Sequence, residues 1–187
     1  MARGVYLPAA LTAVIMLAAG CGGGASDRAG SGTERLPVLS TVPGLVAKDR
    51  EVDATVLAHD APVPSLPSDL ARWGFLAGHE REFTGATKTF TDVVSRTLVF
   101  RRPAGARAYV AFVAAHAASF YGRGTAVRAV TSAGRPGYLL RAASCGCHRE
   151  SPILLTVVSR GTRVSWLVVN GPGATAARAQ ALAARMP

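Results

Sequence analysis

Hydrophobic positions in the second half of the chain change from strand spacing to helix spacing and back again. Residues 93–101, VVSRTLVFR, are rich in β-branched and aromatic side chains, which predicts a strand. From Ala104 to Tyr121 the apolar residues recur at helical spacing, which predicts a long amphipathic helix. Gly122 follows it, at a position where helix ends favour a residue of positive φ. Such a helix needs an apolar surface to cover.

Three further apolar segments predict that surface. They are strands at 137–143 (GYLLRAA), 153–159 (ILLTVVS) and 163–170 (RVSWLVVN). Arg160 and Gly161 lie between the last two and are short enough for a tight hairpin turn. The chain closes with an alanine-rich helical stripe formed by Ala179, Leu182, Ala183 and Met186. Two helices packed on an antiparallel sheet predict a single α+β domain.

The first 21 residues have the layout of a secretory signal. Arg3 gives a positive start, an apolar run follows, and small residues lead to the ending LAAGC. This ending, with Cys21 after Gly20, resembles the lipobox of bacterial lipoproteins. The resemblance implies cleavage before Cys21, attachment of palmitate-type acyl chains to it, and a protein anchored by lipid to the extracytoplasmic face of the cell membrane.

The segment after the lipobox predicts a tether rather than a folded unit. Residues 22–33, GGGASDRAGSGT, contain almost nothing that could bury apolar surface. We therefore predict a signal peptide at 1–20, a lipidated cysteine with a flexible tether at 21–44, and an α+β extracytoplasmic domain at 45–187.

The order of these segments, with the alanine- and arginine-rich composition, resembles the small envelope and sensor-type lipoproteins of actinobacteria. Some of these have a Mog1/PsbP-like α/β sandwich. The resemblance implies a fold and a location, and it carries no functional residues to this chain.

Charge is distributed unevenly between the two halves of the chain. Residues 22–92 carry seven Lys or Arg and ten Asp or Glu, whereas residues 93–187 carry thirteen Arg and the single acid Glu150. The basic half can be a solvated surface, or it can attract anionic lipid or wall polymer. Nucleic acid is not expected as a partner, because the few aromatic residues fall on predicted core positions and not among the arginines.

Two cysteines remain for the folded domain once Cys21 is acylated. Cys145 and Cys147 are separated by Gly146 and followed by His148. In an oxidising compartment such a pair tends to form a disulfide, and the glycine permits the bend that brings the two side chains together. A redox pair, or a metal site of Cys145, Cys147 and His148, stays open as an alternative, although three ligands are one short of a closed zinc shell.

Aromatic residues on the long helix and on the last strand are the candidates for ligand binding. Tyr109, Phe112 and Phe120 share one helix stripe, and Trp166 lies on the last strand. Their rings either fill the core or line a groove between helix and sheet. His116 lies on the same stripe, where we expect a packing role.

No catalytic residue is predicted. HERE at 79–82 lacks the second histidine of the H-E-x-x-H zinc motif and predicts an exposed turn. His59 beside Asp60 falls among prolines and predicts a loop, and no G-x-S-x-G motif is present. We therefore expect neither an enzyme nor a cofactor.

Three functions fit these features. The first is a membrane-anchored extracytoplasmic lipoprotein that acts as a non-catalytic binding or sensor module for a protein partner or an apolar ligand. The second is an envelope structural protein whose arginine-rich half contacts anionic lipid or wall polymer. The third is a thiol- or metal-handling lipoprotein that uses Cys145, Cys147 and His148.

We predict a disulfide between Cys145 and Cys147 in the secreted protein. Intact-mass measurement with alkylation should show both thiols blocked until the protein is reduced. Replacing both with serine should lower the free energy of unfolding by well under the roughly 2–5 kcal/mol typical of a long-range disulfide, because the closed loop is very short. Two thiols that react freely before reduction would contradict the disulfide, and copurifying metal that is lost in His148→Ala would favour the metal site.

Overall fold

The chain folds into a seven-stranded antiparallel sheet with helices on both faces, and the computed structural model describes residues 36–142 and 152–186. The strands are β1 Val46–Val52, β2 Phe75–Thr84, β3 Asp92–Phe100, β4 Ala126–Ser132, β5 Arg135–Ala142, β6 Ile153–Arg160 and β7 Arg163–Asn170. The helices are α1 Ala54–Asp60, α2 Leu66–Trp73, α3 Pro103–Ala115, α4 Ala117–Tyr121 and α5 Ala176–Ala184. The strands follow one another across the sheet in the order β1-β2-β3-β7-β6-β5-β4. This architecture confirms the predicted α+β fold.

Two apolar cores lie on opposite faces of this sheet. One face packs against α3 and contains Leu98, Phe100, Tyr109 and Trp166; we call it the α3 face. The other face packs against α5, and we call it the α5 face. Because β6 is covered on both faces, every residue from its start to Ser159 is buried, which explains the continuous apolar run in its sequence.

The helix predicted for Ala104 to Tyr121 is two helices instead of one. The break is at His116, whose backbone has φ −108 and ψ 24, outside the helical region. Its Nδ1 lies 3.0 Å from the carbonyl oxygen of Phe112, and its ring stacks on the Phe112 ring. The change of direction brings the ring of Phe120 on α4 to 5.4 Å from the ring of Trp166. Packing of α4 against the sheet therefore overrides the continuous helical pattern.

Part of the segment assigned by sequence to the tether packs against the α5 face. Leu39 and Val42 are buried in that core. The backbone N–H of Leu39 donates to Ser95 Oγ at 2.8 Å, and the Thr97 hydroxyl donates to the carbonyl of Pro37 at 2.6 Å. Packed residues therefore precede residue 45, the boundary predicted from the sequence. Apolar residues between the prolines thus form part of the packed fold.

A buried arginine holds the end of α5 against the sheet. Arg135 on β5 is 5% exposed and donates to the carbonyl oxygens of Ala183 at 2.7 Å and Met186 at 3.1 Å. Ala183 is in the last turn of α5 and Met186 follows the C-cap Arg185, so the guanidinium lies at the C-terminal end of the helix, where a positive charge is favoured. Burial, together with the nearby Arg160, lowers the pKa of Arg135.

The uneven charge of the sequence becomes an uneven charge in space. Among the described residues every acidic side chain precedes Val93, so these side chains lie on the β1-β2-β3 side or on α1 and α2. From Val93 onward the described residues hold twelve arginines, of which only Arg96 and Arg135 are buried. None of the described helices combines the length and hydrophobicity needed to cross a membrane.

Candidate functional site

A row of charged side chains crosses the α3 face. Arg50 on β1, Glu80 on β2 and Arg96 on β3 are direct neighbours in the strand register, and Trp166 on β7 comes next. Directly opposed residues in an antiparallel sheet point to the same side, so the row presents alternating charges followed by an indole.

The carboxylate of Glu80 is held from two sides. Its side chain is 3% exposed, and Oε1 accepts a hydrogen bond from Arg50 Nε at 2.5 Å. Oε2 accepts from Arg96 Nε at 2.7 Å. Arg96 also pairs with Asp60 at the end of α1, and Arg50 Nη2 lies 3.7 Å from the same Asp60 carboxylate. Two positive and two negative groups therefore form one electrically neutral cluster.

The neighbouring carboxylates keep Arg96 charged although it is buried. Burial has the largest single influence on its pKa and lowers it, but Glu80 and Asp60 together outweigh it, so the pKa of Arg96 lies above its ordinary value. A buried charge is tolerated when its partners compensate for lost hydration. The cluster thus joins β1, β2, β3 and α1 through charge, in addition to the apolar contacts of Val52, Leu57 and Leu98 in the core of the α3 face.

Aromatic rings continue from this cluster toward α3 and α4. The guanidinium carbon of Arg96 lies 5.4 Å from the centre of the Trp166 ring, a cation–π distance. Trp166 is 3% exposed, and its ring contacts those of Phe120 and Tyr109. Burial raises the pKa of Tyr109, which stays neutral at physiological pH.

A cleft of about 350 Å³ opens over the cluster and the rings, and we call it the Trp166 cleft. Its lining consists of Arg50, Asp60, Glu80, Glu82, Val94, Arg96, Phe120, Tyr121, Trp166 and Val168. This volume falls within the range of small-molecule sites. Glu82 is exposed, and no Lys or Arg nitrogen of the described residues lies within 4.0 Å of its carboxylate.

The four aromatic candidates divide between core and cleft. Tyr109 and Phe112 are 1% and 7% exposed and belong to the core of the α3 face. Trp166 belongs to the same core and Phe120 packs against it, and both residues also line the cleft. Binding of a ligand by any of the four stays a prediction.

The residues of the predicted lipidation, disulfide and metal sites are not part of the described structure. Cys21, Cys145, Cys147 and His148 lie outside the described residues, so lipidation, the disulfide and the alternative metal site stay predictions. Within 36–142 and 152–186, no group of three His, Cys, Asp or Glu side chains is placed to hold a metal ion.

Two expectations from the sequence were wrong at this site. HERE at 79–82 is not an exposed turn but the middle of β2, and His79 and Glu80 are buried. His59 and Asp60 are not in a loop but end α1, which Asp53 begins by accepting a hydrogen bond from the N–H of Val56 at 2.8 Å.

A signal in the sequence could have located β1 and β2. The runs KDRE at 48–51 and HERE at 79–82 alternate in charge, and the antiparallel register pairs them as Lys48–Glu82, Asp49–Arg81, Arg50–Glu80 and Glu51–His79. Each charged group therefore faces a residue that is opposite in charge or, for His79, able to become so. On the α5 face, the Arg81 guanidinium donates two hydrogen bonds to the Asp49 carboxylate, at 2.6 and 2.8 Å. These hydrogen bonds raise the pKa of Arg81.

We predict that Glu80→Gln lowers the free energy of unfolding by about 3–5 kcal/mol, because it leaves the buried Arg96 without one of its two carboxylates. Urea unfolding followed by tryptophan fluorescence measures the change. Glu82→Gln is the matched control on the same face of the same strand, and we expect a change within about 0.5 kcal/mol there. Equal losses in the two variants would contradict a stabilising role for the cluster.

Comparisons with known proteins give one distant likeness. No protein-family model matches the chain, and no curated protein matches it. Among solved structures, the extracellular domain of PknH from Mycobacterium tuberculosis is similar, with a TM-score of 0.47 and 14% sequence identity. The match covers 76% of this chain and 82% of that one. At this level of similarity it supports no functional argument.

Proposed function

We propose that this chain is a lipid-anchored extracytoplasmic protein whose folded domain is a non-catalytic binding module, with the Trp166 cleft as its ligand site. The observation that carries the proposal is the combination, in one cleft, of a neutral ion-pair floor, an aromatic wall and a carboxylate without an ionic partner among the described residues.

The state of the charged floor supports binding over catalysis. A general acid or base must be able to exchange a proton with a substrate. Both oxygens of Glu80 already accept hydrogen bonds from arginines, and Arg96 is held in its charged form. The floor therefore supplies a fixed electrostatic surface.

The walls of the cleft define the class of ligand. The partly buried Phe120 offers aromatic surface backed by the buried ring of Trp166, and Glu82 at the rim offers a negative charge. Aromatic rings and a carboxylate together favour a cation with an apolar body. We infer a small molecule with an amine or quaternary ammonium group next to an apolar or aromatic portion.

The location rests on the sequence alone. The lipobox-like ending at Cys21 supports lipid anchoring at the cell membrane, and the glycine-rich stretch after it supports a flexible connection to the domain. The binding module would then act on the extracytoplasmic side.

A second candidate function is supported by the distribution of arginine. Ten exposed arginines and no acidic residue are found in the described part after residue 92, as expected of a protein that lies against anionic lipid or wall polymer. The thiol- or metal-handling alternative depends on residues outside the described part and gains no support from the cleft.

We predict that benzyltrimethylammonium binds the cleft and changes the fluorescence of Trp166. The chain has two tryptophans, so Trp73→Phe leaves Trp166 as the single reporter. A saturable change is expected, and Glu82→Gln should weaken binding several-fold, or about 1 kcal/mol, because an exposed charge interaction is lost. Benzoate has a similar ring and the opposite charge, and it serves as the matched control. A saturable response to benzoate as strong as that to the cation, or no saturable response to the cation, would contradict this ligand class.

We also predict that Cys21→Ala abolishes acylation. The wild-type protein should carry acyl chains, which stabilise membrane association by about 0.8 kcal/mol per buried CH₂, whereas the variant should carry none and keep its uncleaved leader. Cys145→Ala is the matched control and should be acylated like wild type. Equal acylation, measured by mass, of wild type and Cys21→Ala would contradict the lipobox.

A further inference from the structure

Among the described residues, β4 is the last strand of the sheet and has no strand paired on its outer side. It pairs with β5 on one side, and five of its seven residues are exposed, with Val127 at 41%. The opposite edge, β1, carries the alternating charges of KDRE, a pattern that discourages pairing with another strand. β4 carries a single charged residue, Arg128, and so lacks that protection.

The hairpin that leads out of β4 defines which of its backbone groups are unpaired. Ala133 and Gly134 form a two-residue turn with φ of 50 and 73, so Ser132 and Arg135 close the hairpin as a hydrogen-bonded pair. In an antiparallel ladder, alternate residues direct their N–H and C=O groups toward the partner and away from it. Val127, Ala129 and Thr131 therefore direct theirs to the open edge.

A groove lies beside β4 on each face of the sheet. On the α3 face a groove of about 470 Å³ is lined by Val110 and Ala111 of α3 together with Ala129 and Tyr138, and the exposed Arg107 also belongs to its lining. On the α5 face a groove of about 450 Å³ has two exposed arginines, Arg128 and Arg141, in its lining. An added strand would place alternate side chains in these two grooves, one mostly apolar with Arg107 in its lining and the other next to two arginines.

Charge favours an acidic peptide over a second copy of the chain. All charged residues described from Val93 onward are arginines, so two β4 strands paired edge to edge would bring like charges together. An extended segment with acidic side chains would meet Arg128 and Arg141 instead.

We propose that β4 accepts an extended acidic segment of a partner protein as an eighth strand of the sheet. Main-chain hydrogen bonds to Val127, Ala129 and Thr131 hold the segment. Its apolar side chains enter the α3-face groove, and its acidic side chains face Arg128 and Arg141. The segment thus alternates acidic and apolar residues.

A fluorescently labelled peptide of about eight alternating Glu and Val residues, the length of an ordinary strand, tests this proposal. We expect saturable binding in fluorescence anisotropy. Amide hydrogen exchange should slow at Val127, Ala129 and Thr131 on binding, and much less at Arg128 and Val130, whose N–H groups already face β5.

Ala129→Pro removes an outward N–H at a place where edge strands tolerate proline, and it should weaken binding about tenfold. Ala129→Val keeps the N–H and should bind like wild type.

The controls separate strand addition from other modes of binding. The same peptide with N-methyl groups on alternate residues keeps its charge but cannot pair with the edge, so it should not bind, and this result is independent of whether Ala129→Pro folds. A Lys–Val peptide should not bind either. Equal binding of the methylated peptide would overturn the proposal in favour of a charged surface for lipid. The same conclusion would follow if anionic phosphatidylglycerol vesicles released the Glu–Val peptide and hydrogen exchange at the three amides did not slow. A dimer that forms through β4 and excludes the peptide would overturn it in favour of a second copy.

Discussion

The carboxylate of Glu80 is the group on which the β1-β2-β3 side of the sheet depends. β6 and β7 are held by apolar burial on both faces, but β1 and the middle of β2 carry charged residues at successive positions. Glu80 accepts hydrogen bonds from Arg50 on one side and Arg96 on the other, and Arg96 extends the connection to Asp60 on α1. Because a buried charge without its partner is strongly destabilising, these four groups maintain their positions together.

The Trp166 cleft is a consequence of that arrangement. A neutral cluster can form the floor of a cleft without imposing a strong charge on whatever enters it. The aromatic wall of Phe120 and Trp166 is set by the break at His116, which directs α4 toward the sheet. Glu82 then adds one negative charge at the rim, and it is this charge that gives the proposed site its preference for a cation.

The order of the strands gives the molecule two different sides. The β1 edge carries paired alternating charges, whereas the outward backbone groups of β4 meet no other strand within residues 36–142 and 152–186, and arginines lie beside them. The cleft and the β4 edge lie at different places on the sheet, so a small ligand and an extended segment would not compete for the same residues.

The sequence by itself determined the elements whose stability comes from apolar side chains. Strands 93–101, 153–159 and 163–170 and the last helix follow from hydrophobic pattern alone, because burial drives their formation. The α+β class follows from them. The uneven charge was also evident, although its separation across the sheet depends on the strand order.

Only the tertiary structure decided the remainder. The burial of Glu80 and Arg96, the break at His116 and the packing of Leu39 each depend on a partner far away in the sequence. A run such as HERE has the composition of a solvent-exposed turn, and it forms a strand with His79 and Glu80 buried because the KDRE run supplies the opposite charges in the matching register.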